Sequence, residues 1–250
     1  MSPLRRPGVL VAFSGIDGSG KSTQAELLAE TLQRMGYPTV IEWAKLGEDR
    51  WLWQFAGRVK RVLRPLHRAR RGQGQQGAQP LDDQEMLTAG RELRESSRLL
   101  TGAWATVTAV SNGIKQRRRA WAHLAAGRVV LYDRFVLDSL VHLRWRYGVD
   151  NRFTLQSWLV RALSPRPARS YFLDLPADVA HARKRQDRIE DLRAHGDLYH
   201  QELARSGARR LDATRDPEDL AAEVALEVWT ALNGRASLGD RLRRALRTGG

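Results

Sequence analysis

One stretch near the N-terminus strongly restricts the folds open to this chain. Residues 15–22 read GIDGSGKS and fit the pattern G-x-x-x-x-G-K-[ST] at every position. The apolar run Val9–Phe13 precedes them and is typical of a buried strand, and a helical pattern follows from about Lys21 to Met35. Glycines let backbone N–H groups wrap around an anion, and the start of the helix adds its positive dipole end. The pattern therefore predicts a phosphate-binding turn between a strand and a helix.

Apolar runs alternate with longer helical patterns along most of the chain. The four later runs that are typical of strands are Thr39–Trp43, Val129–Tyr132, Ser170–Asp174 and the weaker Arg209–Asp212. Helices are expected in the gaps, including a long one around Arg98–Lys115, one ending near Gly127 before the third strand, and one over Pro217–Leu232. This alternation predicts an α/β protein with a parallel sheet covered on both faces.

Composition excludes several classes of protein. Of the 250 residues, 42% are hydrophobic and 28% charged, which predicts a folded chain rather than a disordered one. No apolar run approaches the ~20 residues of a transmembrane helix, and Val9–Phe13 is too short for a signal-peptide core. The chain has no cysteine, which excludes disulfides, thiolate metal sites and a cysteine nucleophile. A cytoplasmic protein is expected.

The net charge of +14 favours an anionic ligand without identifying it. An arginine-rich composition shared by the whole genome would give the same charge. Residues 51–71 combine an apolar helical stripe with basic residues on the other faces, and a Gln/Gly linker follows within an insertion over 51–79. We expect this segment to pack against the protein, with contact to an anionic membrane or nucleic acid as the alternative. We expect one domain over 1–233 and a basic tail over 234–250.

The phosphate-binding turn predicts a site for a nucleoside triphosphate and Mg²⁺. Lys21 is expected at the β- and γ-phosphates and the Ser22 hydroxyl on the metal. Asp133 ends the third strand and would supply the second metal ligand, while Arg134 beside it would hold a second phosphate. A helix cap and a solvated loop are the alternatives for these two. The predicted nucleotide-binding residues are Gly15, Ile16, Asp17, Gly18, Ser19, Gly20, Lys21, Ser22 and Thr23.

A basic cluster follows the fourth strand, beyond the carboxyl edge where open α/β sheets bind ligands. Its arginines, Arg183, Arg185 and Arg188, would neutralise charge that develops during phosphoryl transfer. The alternative for each of them is a solvated surface position.

These motifs resemble those of the thymidylate kinases, a family of nucleoside monophosphate kinases. Residues 13–24, FSGIDGSGKSTQ, resemble the family's phosphate loop almost residue for residue. Residues 127–135 with Ser139 resemble its Asp-Arg-Tyr/Phe segment. Shorter matches to its fourth strand, its lid and the end of its pattern are residues 173–176, 187–190, Tyr199 and 211–214.

The resemblance implies a three-layer α/β/α P-loop NTPase fold with a five-stranded parallel sheet and a lid over 176–200. It implies ATP with Mg²⁺ as donor and a nucleoside monophosphate as acceptor, with dTMP the best single candidate. Asp17 would contact the acceptor sugar and Arg134 its phosphate. Gly18 stands where some members carry a loop arginine, so Arg183, Arg185 or Arg188 would serve from the lid. The resemblance also allows a homodimer.

The sequence departs from the family at the predicted acceptor pocket. Residues 42–45 replace the family's Arg-Glu-Pro-Gly, Asn112 replaces a helix arginine near the base, and residues 142–143 replace a Tyr-Gln pair. The pocket would then depend on Trp43, Asn112 and His142, where an indole can stack on a base and an amide can pair with its edge. We expect weaker base selectivity than is usual in the family. The alternatives are an ATP-binding regulatory protein and a kinase of a non-nucleotide acceptor.

Overall fold

The computed structural model describes residues 8–43, 98–147, 154–185 and 187–247. Five parallel strands form one sheet in the order β2-β3-β1-β4-β5. The strands are β1 Val9–Ser14, β2 Thr39–Trp43, β3 Val129–Asp133, β4 Arg169–Asp174 and β5 Arg209–Asp212. The predicted α/β fold with a five-stranded parallel sheet is confirmed.

Helices follow the strands in sequence and cover the sheet. Those of the described residues are α1 Lys21–Arg34, α2 Arg98–Ala125, α3 Val136–Tyr147, α4 Thr154–Leu163, α5 Ala177–Arg183, α6 Ile189–Ser206 and α7 Pro217–Arg247. None of them is long and apolar enough to cross a membrane.

The central strand β1 is buried on both faces, which explains its continuous apolar sequence. Val11 and Phe13 belong to a cluster that includes Leu28 of α1 and Val224 of α7. Leu10 and Ala12 point the other way and belong to a cluster with Ala120 of α2. These two clusters form the two interfaces of a three-layer α/β/α arrangement and fix the position of the loop that follows β1.

One helix runs further than the sequence pattern indicated. Helix α2 ends at Ala125, close to the expected end near Gly127, whereas α7 continues past Leu232 to Arg247. Residues 235–247 consist largely of Ala, Leu and Arg, which favour helix, and contain no proline to end it. The backbone of most of the basic tail is therefore helical. The predicted segment 51–79 lies outside the described residues, and the predicted domain boundaries stay predictions.

Candidate active site at the carboxyl edge of the sheet

The loop between β1 and α1 passes very close to neighbouring backbone. Gly18 has φ +85°, and a Cβ built on it would lie 2.7 Å from the carbonyl oxygen of Ala180 in α5. A Cβ on Gly15 would lie 2.7 Å from the carbonyl oxygen of Leu173 in β4. Only glycine satisfies both positions, so the glycine pattern of the sequence has a direct steric cause.

Lys21, the first residue of α1, is 5% exposed and folds back over the loop. Its Nζ donates hydrogen bonds to the carbonyl oxygens of Gly15 at 2.9 Å and Ile16 at 2.7 Å, and lies 3.9 Å from Asp17 Oδ1. Burial and the nearby Arg134 cation lower the pKa of Lys21. Its two nearest partners are neutral, so the ammonium group gains from an anion that enters the site.

Ser22 and Asp133 form a hydroxyl–carboxylate pair across the sheet edge. The Ser22 hydroxyl donates to Asp133 Oδ2 at 2.5 Å, and the parallel register pairs Asp133 with Phe13 just before the loop. The other oxygen, Asp133 Oδ1, is buried with no hydrogen-bond partner among the described residues. An oxygen-rich pair with an unsatisfied buried acceptor fits Mg²⁺, which takes its remaining ligands from phosphates and water.

The protein would contribute few ligands to such a metal. Within the described ranges, no three His, Cys, Asp or Glu side chains come close enough to hold an ion by themselves. Mg²⁺ at Ser22 and Asp133 would therefore depend on the phosphate oxygens of a bound nucleotide.

Arg134 has φ +69° and is the only non-glycine residue with positive φ in the described part of the chain. Its guanidinium pairs with Asp17. Burial alone would raise the pKa of Asp17, but the Arg134 and Lys21 cations outweigh it and hold that pKa below its usual value. Asp17 thus lies between the two cations that the sequence assigned to different phosphates.

A cavity of about 880 Å³ opens above these residues. Residues 17–24 form one wall, with Trp43, Asp133 and Arg134 beside them. Among the described residues, five cationic side chains line the cavity against three carboxylates, and this charge favours a polyanion. The cations are Lys21, Arg134, Arg183, Lys184 and Arg215, and the carboxylates are Asp17, Glu26 and Asp133.

The three arginines predicted for the lid separate into two groups. Arg183 lines the cavity and donates to the carbonyl oxygen of Ala213 at 3.3 Å. Arg185 and Arg188 are not among the lining residues, and the Arg188 side chain is 80% exposed and pairs with Glu190. Their predicted role in catalysis stays a prediction.

Of the predicted acceptor-pocket residues, Trp43 lines the cavity and His142 does not. The side chain of Asn112 lies outside what the structure describes. The sequence analysis missed two cations of the cavity, Lys184 and Arg215. Lys184 lies inside the basic cluster, and Arg215 directly follows the last family-like segment, so both adjoin signals that were noted.

A buried carboxylate behind Arg134 was also missed. Asp138, in the first turn of α3, accepts hydrogen bonds from the Phe135 N–H and the Tyr199 hydroxyl. The sequence signal was an acidic residue three positions after Phe135, which directly precedes α3, a spacing typical of a helix N-terminal cap.

The chain is similar to proteins named thymidylate kinase from several organisms. It is 29% identical to the one from Symbiobacterium thermophilum over 226 residues, covering 86% of this chain and 90% of the relative. It is 28% identical to the one from Ruegeria pomeroyi over 243 residues, covering 90% and 97%. It is 29% identical to the one from Desulforudis audaxviator over 243 residues, covering 94% and 93%.

None of the family models compared with the chain matches it. The relatives nevertheless cover most of the chain. With this fold and this phosphate loop, the chain belongs to the thymidylate kinase-like family of P-loop kinases.

Proposed function

We propose that this protein is a nucleoside monophosphate kinase that transfers the γ-phosphate of ATP to dTMP. The observation that carries the proposal is the position of Asp17 between Lys21 and Arg134 in one cavity. Two cations separated by one carboxylate suit a reaction that brings two phosphorylated molecules together. The acceptor comes from the names of the relatives.

On the donor side, the loop and Lys21 bind the phosphates of ATP. The Nζ group exchanges the carbonyl oxygens of Gly15 and Ile16 for phosphate oxygens, which carry full negative charge. Ser22 and Asp133 would hold Mg²⁺, which supplies positive charge to the phosphate oxygens when bound. Asp133 is well suited to this because its Oδ1 is buried and unsatisfied.

On the acceptor side, Arg134 binds the phosphate of dTMP and holds an oxygen in line with the γ-phosphorus. Asp17, released from Arg134, can accept a hydrogen bond from the sugar. The attacking oxygen bonds to the γ-phosphorus while the bond from phosphorus to the β–γ bridging oxygen breaks, which yields ADP and dTDP. Arg183 and Arg215 line the same cavity and can neutralise the transferring group.

The test is an ADP-release assay with ATP and Mg²⁺ over all common nucleoside monophosphates. We expect the highest kcat/KM with dTMP and measurable turnover with other pyrimidine monophosphates. Arg134→Ala should raise the acceptor KM and lower kcat. Arg34→Ala removes a cation from an exposed pair at the far end of α1 and should change neither. ATP binding without ADP release for any monophosphate would contradict the proposal and favour a regulatory protein or another acceptor.

Partners other than nucleotides are proposed from the sequence alone. A homodimer follows from the resemblance, and sedimentation velocity of the full chain tests it. Contact of segment 51–71 with anionic membranes or nucleic acid also stays a prediction. Co-sedimentation with anionic vesicles, compared between the full chain and a variant lacking 51–71, tests the membrane contact. We also propose a cytoplasmic location, which rests on the composition of the sequence.

A further inference from the structure

A buried hydrogen-bonded pair lies behind Arg134, outside the phosphate loop. Asp138 of α3 is 6% exposed and Tyr199 of α6 is 4% exposed. The Tyr199 hydroxyl donates to Asp138 Oδ1 at 2.7 Å, and the Phe135 N–H donates to Asp138 Oδ2 at 2.9 Å. Each carboxylate oxygen therefore has its own donor, and the Asp138 side chain is fixed in one orientation.

This pair completes the support of the strained backbone at Arg134. The Arg134 N–H donates to the carbonyl oxygen of Phe13 at 3.0 Å, which fixes the peptide group before its Cα. Asp138 holds the N–H of Phe135, which fixes the peptide group after it. A non-glycine residue with φ +69° persists only where its surroundings over-determine it, and these two bonds do so.

Asp138 also attracts the neighbouring cations. Its attraction, with that of Asp17, keeps the pKa of Arg134 raised despite burial, and it opposes the lowering of the pKa of Lys21. The Asp17 side chain is 31% exposed and pairs directly with Arg134, so an acceptor phosphate must compete with it. An acceptor phosphate does not displace Asp138 in this way, because Asp138 is buried and each of its carboxylate oxygens accepts a hydrogen bond within the protein.

Tyr199 is itself held firmly. Its ring stacks on Phe172 of β4, with centroids 5.3 Å apart. One turn later in α6, the buried Glu202 pairs with Arg144 of α3 at 2.8 Å and Arg161 of α4 at 2.9 Å. Burial raises the pKa of Tyr199 well above its usual value, so the hydroxyl keeps the proton that it donates.

We propose that Asp138, oriented by Tyr199, is a positioning residue that holds Arg134 in place for the phosphate of the acceptor. The inference rests on the proposed function for the identity of that anion. Asp17 is the exchangeable partner of Arg134, whereas Asp138 is the fixed one. Loss of Asp138 should therefore affect the acceptor more than ATP.

The kinetic test compares Asp138→Asn with the wild-type chain well below both thermal midpoints. We expect the KM for dTMP to rise about tenfold, the scale of one lost hydrogen bond to a charged group, while the KM for ATP changes much less. Tyr199→Phe should act in the same direction with a smaller effect, and the double variant should be less than additive. Equal effects on both substrates, or an unchanged dTMP KM, would overturn the proposal.

Glu202→Gln is the matched control. It weakens the ion pairs between α6 and its neighbours without touching Asp138, so it should lower the thermal midpoint and leave the ratio of the two KM values unchanged. A change in that ratio equal to that of Asp138→Asn would mean that the kinetic effect reports general loosening, and would overturn the positioning role.

A second measurement does not depend on turnover. The NMR signal of the Arg134 Nε–H, assigned by its loss in Arg134→Lys, should be resolved in the wild-type chain without nucleotide. It should shift or broaden in Asp138→Asn and stay in place in Glu202→Gln. No resolved wild-type signal, or no response to Asp138→Asn, contradicts the inference. If the wild-type chain phosphorylates no monophosphate, the proposed function fails while this measurement still decides the role of Asp138.

Discussion

Lys21 is a buried ammonium group whose nearest partners are two neutral carbonyl oxygens. We expect Lys21→Ala to lower kcat by a hundredfold or more, because losing one such contact to a transferring phosphate costs about 3 kcal/mol. The measurement is steady-state turnover together with the thermal midpoint of the nucleotide-free chain. Near-normal kcat in the variant would contradict the assignment of the loop, and Arg34→Ala serves as the control for removing a cation from α1.

Ser22 and Asp133 act as one unit, since the hydroxyl of one donates to the carboxylate of the other. Ser22→Ala and Asp133→Asn should each raise the Mg²⁺ concentration required for half-maximal turnover. The double variant should be less impaired than the sum of the two, because the residues share one ligand site. Magnesium titrations of turnover measure this. An unchanged requirement combined with a lower thermal midpoint would assign the pair a purely structural role.

Local patterns predicted the residues of the site that are close in sequence to a motif. Lys21 and Ser22 follow from the glycine pattern, and Asp133 follows from the end of a buried strand. Asp138 was missed because its partner Tyr199 lies 61 positions away, on a helix whose placement depends on tertiary packing. Because Asp138 and Tyr199 lie on different helices, no sequence spacing predicts their contact.

At the scale of elements, the packing of α2 on α4 depends on a glycine. A Cβ built on Gly113 would lie 2.6 Å from Leu163 Cβ, whereas one built on Gly196 in α6 meets nothing within 4 Å. Gly196→Ala should stabilise the fold by about 0.5–1 kcal/mol through helix propensity. Gly113→Ala should destabilise it by about 1–3 kcal/mol, because the two helices must separate.

Thermal or urea unfolding of the two variants, compared with the wild-type chain, measures these free energies. Opposite signs are expected from the same substitution in two helix interiors. Stabilisation by both would mean that α2 and α4 do not approach as closely as Leu163 and Gly113 indicate. Adding Leu163→Ala should leave most of the loss in Gly113→Ala in place, because the contact at 2.6 Å is with Leu163 Cβ, which alanine keeps.

Strands were predicted more accurately than helix ends, and the reason is physical. All six residues of β1 are buried, so its apolar run marks the strand directly. The end of α1 could also be predicted, because a glycine stops the helix there. Gly36 takes φ +80°, and the Tyr37 N–H donates to the Leu32 carbonyl oxygen at 2.9 Å. Helix α7 continues to Arg247 without such a stop, so the predicted end at Leu232 fell short.

For the whole molecule, the carboxyls with lowered pKa values determine the response to acid. Asp17 is held below its usual pKa of 3.8, because its cationic neighbours outweigh burial. A carboxyl whose pKa is lower in the folded state contributes stability above its unfolded pKa, and this contribution disappears as pH falls through the folded value. The thermal midpoint should therefore fall as the pH drops below about 4.

The variant Asp17→Asn isolates the contribution of this one carboxyl to the pH dependence of stability. At pH 6 the variant should unfold at a lower temperature than the wild-type chain, and the difference should narrow as the pH falls through the folded-state pKa of Asp17, where the wild-type carboxyl is itself protonated. Glu30→Gln removes a carboxyl from an exposed ion pair. Its thermal midpoint should differ little from that of the wild-type chain at every pH. A difference for Asp17→Asn that does not vary with pH would contradict the charge-based origin of the effect.

The close approach of Gly18 to Ala180 also limits the evolutionary paths open to this active site. An arginine at position 18 would need a backbone conformation that side chains rarely adopt, and its Cβ would collide with a main-chain oxygen that no rotamer change can move. A descendant of this protein could therefore acquire a loop arginine only after mutations had already shifted α5. The reverse order would pass through an intermediate whose loop and α5 collide. One backbone contact thus constrains the order of mutations by which a loop arginine could arise at position 18.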